Sequence, residues 1–80
     1  MNDHRHKLNR ERTAENIRNR IRSSGKSAKM IAEAVGVKER NIRSYMRGAS
    51  LPRINVLYGI ACELGVGTNE LLAFDLVDNK

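Results

Sequence analysis

The sequence predicts an all-α protein, a compact five-helix bundle that forms one domain. Apolar residues recur at helical spacing in five successive segments, and glycine or a capping residue stands at most of the segment boundaries. No stretch alternates apolar and polar residues persistently enough to predict a strand. A chain of 80 residues can bury one modest core, which several short helices can supply.

The first helix is predicted to begin at Thr13, a residue type that caps helix N-termini. Its apolar stripe consists of Ala14, Ile17 and Ile21, and Gly25 is expected to end it. Residues 1–12 are polar and basic. We therefore expect a flexible N-terminal arm ahead of a folded domain that spans residues 13–74.

A single sharp turn separates the second and third helices. Ser27 is the expected cap of the second helix, which runs to Val35, and Gly36 is expected to turn the chain with a positive φ. The third helix begins near Lys38 or Glu39. Its apolar face carries Ile42, Tyr45 and Met46, and its cationic face carries Arg40, Arg43 and Arg47.

The fourth helix is predicted to open at Pro52 and to close at Gly65. Its core positions are Ile54, Leu57, Ile60, Ala61 and Leu64. Either Gly67 or Thr68 then caps a last short helix. Residues 75–80 are expected to form a short tail.

Charge is distributed unevenly along the chain, whose net charge is +6. Residues 1–53 hold fourteen of the fifteen basic residues and five of the nine acidic ones, a balance of +9. Residues 54–80 hold the one remaining basic residue and the four remaining acidic residues, a balance of −3. This asymmetry favours one end that faces a polyanion and another end that is free for other contacts.

Several classes of protein are disfavoured by composition. Cys62 is the only cysteine, so it forms no intramolecular disulfide, and we expect it to be a small, partly buried side chain. His4 and His6 are interpreted as solvated residues of the arm rather than metal ligands. Since no nucleophile can be matched with a base, the sequence predicts no enzyme, no catalytic residue and no cofactor.

Membrane association is also disfavoured. The longest nearly apolar run, Val56–Cys62, is far shorter than the roughly 18 residues of a membrane span. A surface-binding helix over residues 5–22 would have a thin apolar stripe without Trp or Phe. Residues 1–12 contain no apolar targeting segment, and we expect a soluble cytoplasmic protein.

Two segments resemble one known family. Ser27–Pro52 reads SAKMIAEAVGVKERNIRSYMRGASLP, with a capping Ser, an Ala in the second helix, Gly in the turn, Ile and an aromatic residue in the third helix, then Gly and Pro. The second segment reads LYGIACELGVGTNELL. Over about Ile17 to Leu72 the chain resembles Cro and phage-repressor type helix-turn-helix proteins, the Xre family. The resemblance implies a lambda-repressor-like bundle that inserts its third helix into the major groove of DNA, commonly as a two-fold dimer.

The resemblance also implies site residues. Base-edge contacts would fall on Glu39, Arg40, Arg43 and Ser44, whose donors and acceptors suit direct readout. Phosphate contacts would fall on Lys26, Ser27, Ala28, Lys29, Lys38 and Arg47, with Ala28 contributing through its backbone N–H. Two positions depart from the family pattern, because Ala28 replaces a common Gln and Lys26 replaces a commonly apolar residue.

The implied function is a sequence-specific double-stranded DNA-binding transcriptional regulator, a repressor of phage or prophage type. The alternative is an antitoxin-like module of the same fold that binds a small protein partner and also its own promoter. We expect a homodimer that forms through the C-terminal half, near Ala73–Val77. In a monomer, Phe74 and Leu76 would instead fold back on the first or fourth helix.

Overall fold

The structure is a computed structural model that describes the backbone of residues 6–76 and the side chains of residues 7–75. All five predicted helices are present, together with two short strands. In chain order the elements are β1 (His6–Leu8), α1 (Arg10–Ser24), α2 (Ala28–Val35), α3 (Glu39–Arg47), α4 (Ile54–Leu64), α5 (Thr68–Leu71) and β2 (Phe74–Leu76). The prediction of an all-α bundle is confirmed for the body of the domain, and the small sheet is an addition to it.

The turn between α2 and α3 has the predicted chemistry. The Ser27 side chain accepts a hydrogen bond from the Met30 N–H at 3.1 Å and so caps the start of α2. Gly36 ends α2 with φ 81°, a left-handed conformation that glycine adopts without steric cost. The N–H groups of Gly36 and Val37 both donate to the carbonyl of Ala32. The chain is thereby returned to the core within two residues.

A single apolar core lies between the helices. The small side chains of Ala28 and Ala32 are buried on α2, which packs against both α3 and α4. Gly59 permits the approach of α4, because a Cβ at this position would overlap the Cγ1 methyl of Val35. The buried residues of this core are Ile17, Ile21, Ala28, Ile31, Ala32, Ile42, Leu57, Ile60, Ala61 and Leu71.

The start of α1 differs from the prediction. Asn9, rather than Thr13, is the N-cap, and its Oδ1 accepts a hydrogen bond from the Arg12 N–H at 2.9 Å. Thr13 lies inside the helix with 0% of its surface exposed, and its hydroxyl accepts from the Ala73 N–H at 3.0 Å. The threonine hydroxyl therefore satisfies a buried backbone group from the far end of the chain instead of the start of its own helix.

The two strands join the ends of the domain. β1 pairs antiparallel with β2, with Leu8 opposite Phe74, and the Asn9 N–H donates to the Ala73 carbonyl at 2.7 Å. Asp75 accepts from the Asn9 amide and pairs with Arg12. Residues 6–12, expected in the flexible arm, are therefore a strand, a helix cap and the start of α1, while residues 1–5 and 77–80 lie outside the described part. The backbone of Phe74 pairs with the N-terminal strand, and its side chain is half exposed.

Two smaller expectations on α4 are also corrected. Pro52 precedes the helix instead of opening it, because Arg53 is the N-cap and Ile54 the first helical residue. Cys62 is exposed rather than partly buried, because it lies on the outer face of α4.

Among residues 6–76, no helix is both long enough and apolar enough to cross a membrane.

Candidate nucleic-acid interface

The third helix has one face in the core and one face in solvent. Ile42 is 0% exposed, and Tyr45 and Met46 pack against the core as predicted. The opposite side presents three exposed arginines, Arg40, Arg43 and Arg47. Because the apolar side packs into the core, the cationic side faces outward and is accessible to a ligand.

Glu39 and Arg43 form an ion pair one turn apart on this exposed face. Both Nε and Nη2 of Arg43 donate to Oε2 of Glu39, at 2.9 and 2.7 Å. Such a charge-assisted fork restricts the rotamers of both side chains, although an exposed pair at this spacing adds only about 0.3–0.5 kcal/mol to stability. Its main effect is to hold Arg43 in one orientation on the helix surface.

Ser44 occupies a less accessible position than Arg40 and Arg43, two of the other predicted base contacts. Its side chain is half-buried, and its hydroxyl lies 2.8 Å from the hydroxyl of Ser50. The carbonyl of Ser44 also accepts from the Ala49 N–H. Ser44 therefore ties the end of α3 to the loop that follows it.

The start of α2 presents groups that suit an anion. The Ser27 hydroxyl accepts from Met30, so its own proton stays free to donate. The first intrahelical bond runs from the Ile31 N–H to the Ser27 carbonyl, which leaves the N–H groups of Ala28 and Lys29 without an intrahelical acceptor. The methyl group of Ala28 is buried, whereas the side chain of Lys29 is exposed.

The two remaining lysines differ in their surroundings. The ammonium group of Lys26 donates to both the carbonyl and the carboxylate of Glu63, at 3.0 and 2.7 Å. This bridge connects the loop before α2 with the end of α4, and it explains how a lysine occupies a commonly apolar position. Lys38 is exposed at the start of α3 and makes no side-chain capping bond there.

An arginine-lined cleft beside α3 was missed by the sequence reasoning. This arginine cleft has a volume of about 240 Å³, and its lining residues are Arg18, Arg22, Arg43, Met46 and Arg47. The Nη1 group of Arg18 donates to the Met46 carbonyl at 2.8 Å and so links α1 to the last turn of α3. The i, i+4 spacing of Arg18 and Arg22 was a signal, but only the packing of α1 on α3 shows where they lie.

Together, these features define the class of the protein. Two helices joined by a sharp glycine turn hold a basic helix outward over an all-helical core, which is the architecture of helix-turn-helix DNA-binding domains. The sequence model of the helix-turn-helix family HTH_3 matches residues 17–71, and the chain belongs to this Cro/C1-type family of DNA-binding transcription regulators. The resemblance inferred from the sequence is thus confirmed.

Solved structures share the fold. The clp gene regulator ClgR from Corynebacterium glutamicum superposes with a TM-score of 0.73 at 21% identity, over 78% of this chain and 66% of that one. This chain thus spans just under two thirds of the ClgR chain. The restriction-modification controller protein C.AhdI from Aeromonas hydrophila superposes with a TM-score of 0.73 at 18% identity, over 78% of this chain and 94% of that one.

A third similar structure is a transcriptional regulator from Listeria innocua. It superposes with a TM-score of 0.72 at 27% identity, over 92% of this chain and 67% of that one. No curated protein sequence matches the chain. The likeness to ClgR and C.AhdI, at 21% and 18% identity, concerns the fold alone.

Proposed function

We propose that this chain is a sequence-specific regulator that reads the major groove of double-stranded DNA with α3. The observation that supports this most directly is the division of α3 into a buried side at Ile42 and an exposed side at Arg40 and Arg43. A helix held in this way can enter a groove about 12 Å wide without exposing the core of the domain.

Base readout is assigned to the exposed residues at the start and middle of α3. Arg40 and Arg43 can each donate two hydrogen bonds to O6 and N7 of guanine, and Glu39 can accept from N4 of cytosine. The Glu39–Arg43 pair presents donor and acceptor side by side, so we expect it to recognise adjacent bases. Ser44 takes a secondary part, because its hydroxyl already bonds with Ser50.

Phosphate contacts are assigned to the start of α2 and to the flanks of α3. The Ser27 hydroxyl, the Ala28 N–H and Lys29 suit one phosphate, because the positive end of a helix dipole favours an anion there. Lys38 and Arg47 lie at the two ends of α3 and suit phosphates of the strands that border the groove. Lys26 is left out of this set because Glu63 holds its ammonium group.

Selection of bound sequences from a random duplex pool tests the proposal. We expect enrichment of an inverted repeat whose half-sites lie about 10–10.5 base pairs apart, because a two-fold dimer presents its two recognition helices one DNA turn apart. A non-enriched duplex of equal length is the control. Equal affinity for the enriched and the non-enriched duplex would contradict sequence-specific binding.

Repression in the cytoplasm, in the manner of phage or prophage regulators, belongs to the same proposal. Occupation of a site that overlaps a promoter blocks transcription with no requirement beyond DNA binding. A reporter driven by a promoter placed over the selected site is therefore expected to lose expression when the protein is present.

We also propose a homodimer that forms through the C-terminal half. Ile54 and Tyr58 lie one turn apart on the outer face of α4 and are 75% and 64% exposed, and Cys62 follows one turn later. The adjacent Cys62 raises the pKa of Tyr58 above its ordinary value of 10.0, through side-chain hydrogen bonding first and through charge second. This stripe can pair with itself across a two-fold axis.

Replacing Tyr58 by aspartate is expected to convert the dimer to a monomer, because it places a charge at the centre of the apolar stripe. The mass from light scattering should fall from twice 9.0 kDa to 9.0 kDa. Phe74→Asp is the matched control, since Phe74 is 51% exposed on β2 and lies nearer the tail where the sequence suggested pairing. A dimer that survives Tyr58→Asp but not Phe74→Asp would contradict the assignment to α4, and a monomeric unmodified protein would contradict the dimer.

A further inference from the structure

Beside the base-reading face, we propose that the arginine cleft binds one phosphodiester of the DNA strand that borders the groove occupied by α3. The inference rests on the proposed function, since it requires a duplex on α3. The proposal adds α1 to the DNA-binding surface through Arg18 and Arg22. Neither the sequence pattern nor the family match assigned these two arginines to DNA.

The chemistry of the arginine cleft suits a phosphate. Four guanidinium groups and one thioether line it, and no carboxylate does. Arg43 pairs with Glu39, but within residues 6–76 the side chains of Arg18, Arg22 and Arg47 form no salt bridge. Three cations without a counter-ion, beside a fourth that is paired with Glu39, repel one another, and a bound anion relieves that repulsion. Guanidinium groups also match the paired oxygens of a phosphodiester.

One arginine of the arginine cleft is already held in place. Arg18 donates one N–H group to the Met46 carbonyl, at the negative end of the α3 dipole. A guanidinium has five N–H donors. The remaining donors of Arg18 can bind an anion without a loss of that contact. The bond also fixes α1 against α3, so the position of the arginine cleft follows the position of the recognition helix.

The arrangement favours a DNA phosphate over a small free anion. The arginine cleft is shallow and open, and two of its walls, Arg43 and Arg47, also belong to the exposed face of α3. A duplex seated on that face therefore brings its backbone to the arginine cleft. Arg22 also lies close along the chain to Ser27, so the phosphate contacts proposed for the start of α2 would continue onto the end of α1.

The test compares Arg22→Gln with Arg20→Gln. Both variants remove one positive charge from the exposed surface of α1, but Arg20 donates to Glu70 on another side of the domain. Affinity for the selected duplex is measured by fluorescence anisotropy at several salt concentrations. We expect Arg22→Gln to lower the slope of log affinity against log salt by about 0.9, so that the advantage of the unmodified protein shrinks about 3.5-fold between 50 and 200 mM salt.

Arg20→Gln is expected to keep the slope of the unmodified protein, and both variants should keep its base preference. Ethylation of single phosphates gives a second readout: one phosphate should be required by the unmodified protein and by Arg20→Gln but not by Arg22→Gln. The cleft proposal is overturned if Arg22→Gln keeps the full salt slope of the unmodified protein. It is also overturned if Arg20→Gln lowers that slope as much as Arg22→Gln does. In either case, if the unmodified protein still prefers the selected duplex, the proposed function stands. Absence of any duplex preference would overturn both.

Discussion

Replacing Ile42 by alanine is expected to lower the free energy of unfolding by about 2–5 kcal/mol, the usual cost of a large-to-small change in a packed core. Ile42 is the one fully buried side chain of α3, a helix that packs against both α1 and α2. A domain of this size is stable by roughly 0.05–0.15 kcal/mol per residue, so the loss would consume a large part of its stability. Urea denaturation followed by circular dichroism measures the change.

The matched control is Ile54→Ala, which removes the same atoms from a side chain that is 75% exposed, and both changes are compared in the Tyr58→Asp background, where the proposed α4 interface is disrupted. It is expected to change stability by no more than about 0.5 kcal/mol. Ile42→Val should fall between the two, at about 0.5–1.5 kcal/mol. Equal and small effects of Ile42→Ala and Ile54→Ala would mean that α3 is not held by the core, and the outward orientation of its arginines would lose its physical basis.

Replacing Arg43 by alanine is expected to weaken binding to the selected duplex by about 1–3 kcal/mol, together with a relaxed preference at one base pair. The change removes a two-pronged donor and also leaves the carboxylate of Glu39 without its partner, facing a polyanion. Arg40→Ala should show a loss of similar size at a different base pair. Binding to a panel of single-base variants of the site measures both effects.

Two further variants separate the possible causes of the binding loss in Arg43→Ala. Lys29→Ala should weaken binding to every sequence alike and lower the salt slope by about 0.9, as expected for a phosphate contact. Glu39→Gln added to Arg43→Ala removes the unpaired negative charge, so comparison of the double variant with Arg43→Ala isolates the contribution of that carboxylate. A uniform loss across the panel in Arg43→Ala, indistinguishable from that in Lys29→Ala, would contradict base readout by α3.

The parts of the fold that the sequence predicted correctly depend on local rules. Gly36, with the cap at Ser27, defines α2 and its turn through interactions that span only a few residues. The division of α3 into buried Ile42 and exposed Arg40 follows from the helical period alone. For the same reason, the pair of Glu39 with Arg43 could have been predicted from its i, i+4 spacing.

The parts that were missed depend on contacts between distant residues. Thr13 has the chemistry of a cap, but the Ala73 N–H occupies its hydroxyl, 60 residues away in sequence. The Lys26–Glu63 bridge spans 37 residues, and the bond from Arg18 to Met46 spans 28. The strands, of three residues each, are too short for an alternating pattern to identify them.

The pairing of β1 with β2 also has a consequence for the order of folding. Asn9 and Asp75 are 66 residues apart in sequence, so their contact closes a long loop at a high cost in chain entropy. The turn between α2 and α3 closes over only a few residues and can form early. We therefore expect α2, its turn and α3 to assemble first and β1 and β2 to pair last. Since they meet at one place, they should also be released in a single opening event when the native protein fluctuates.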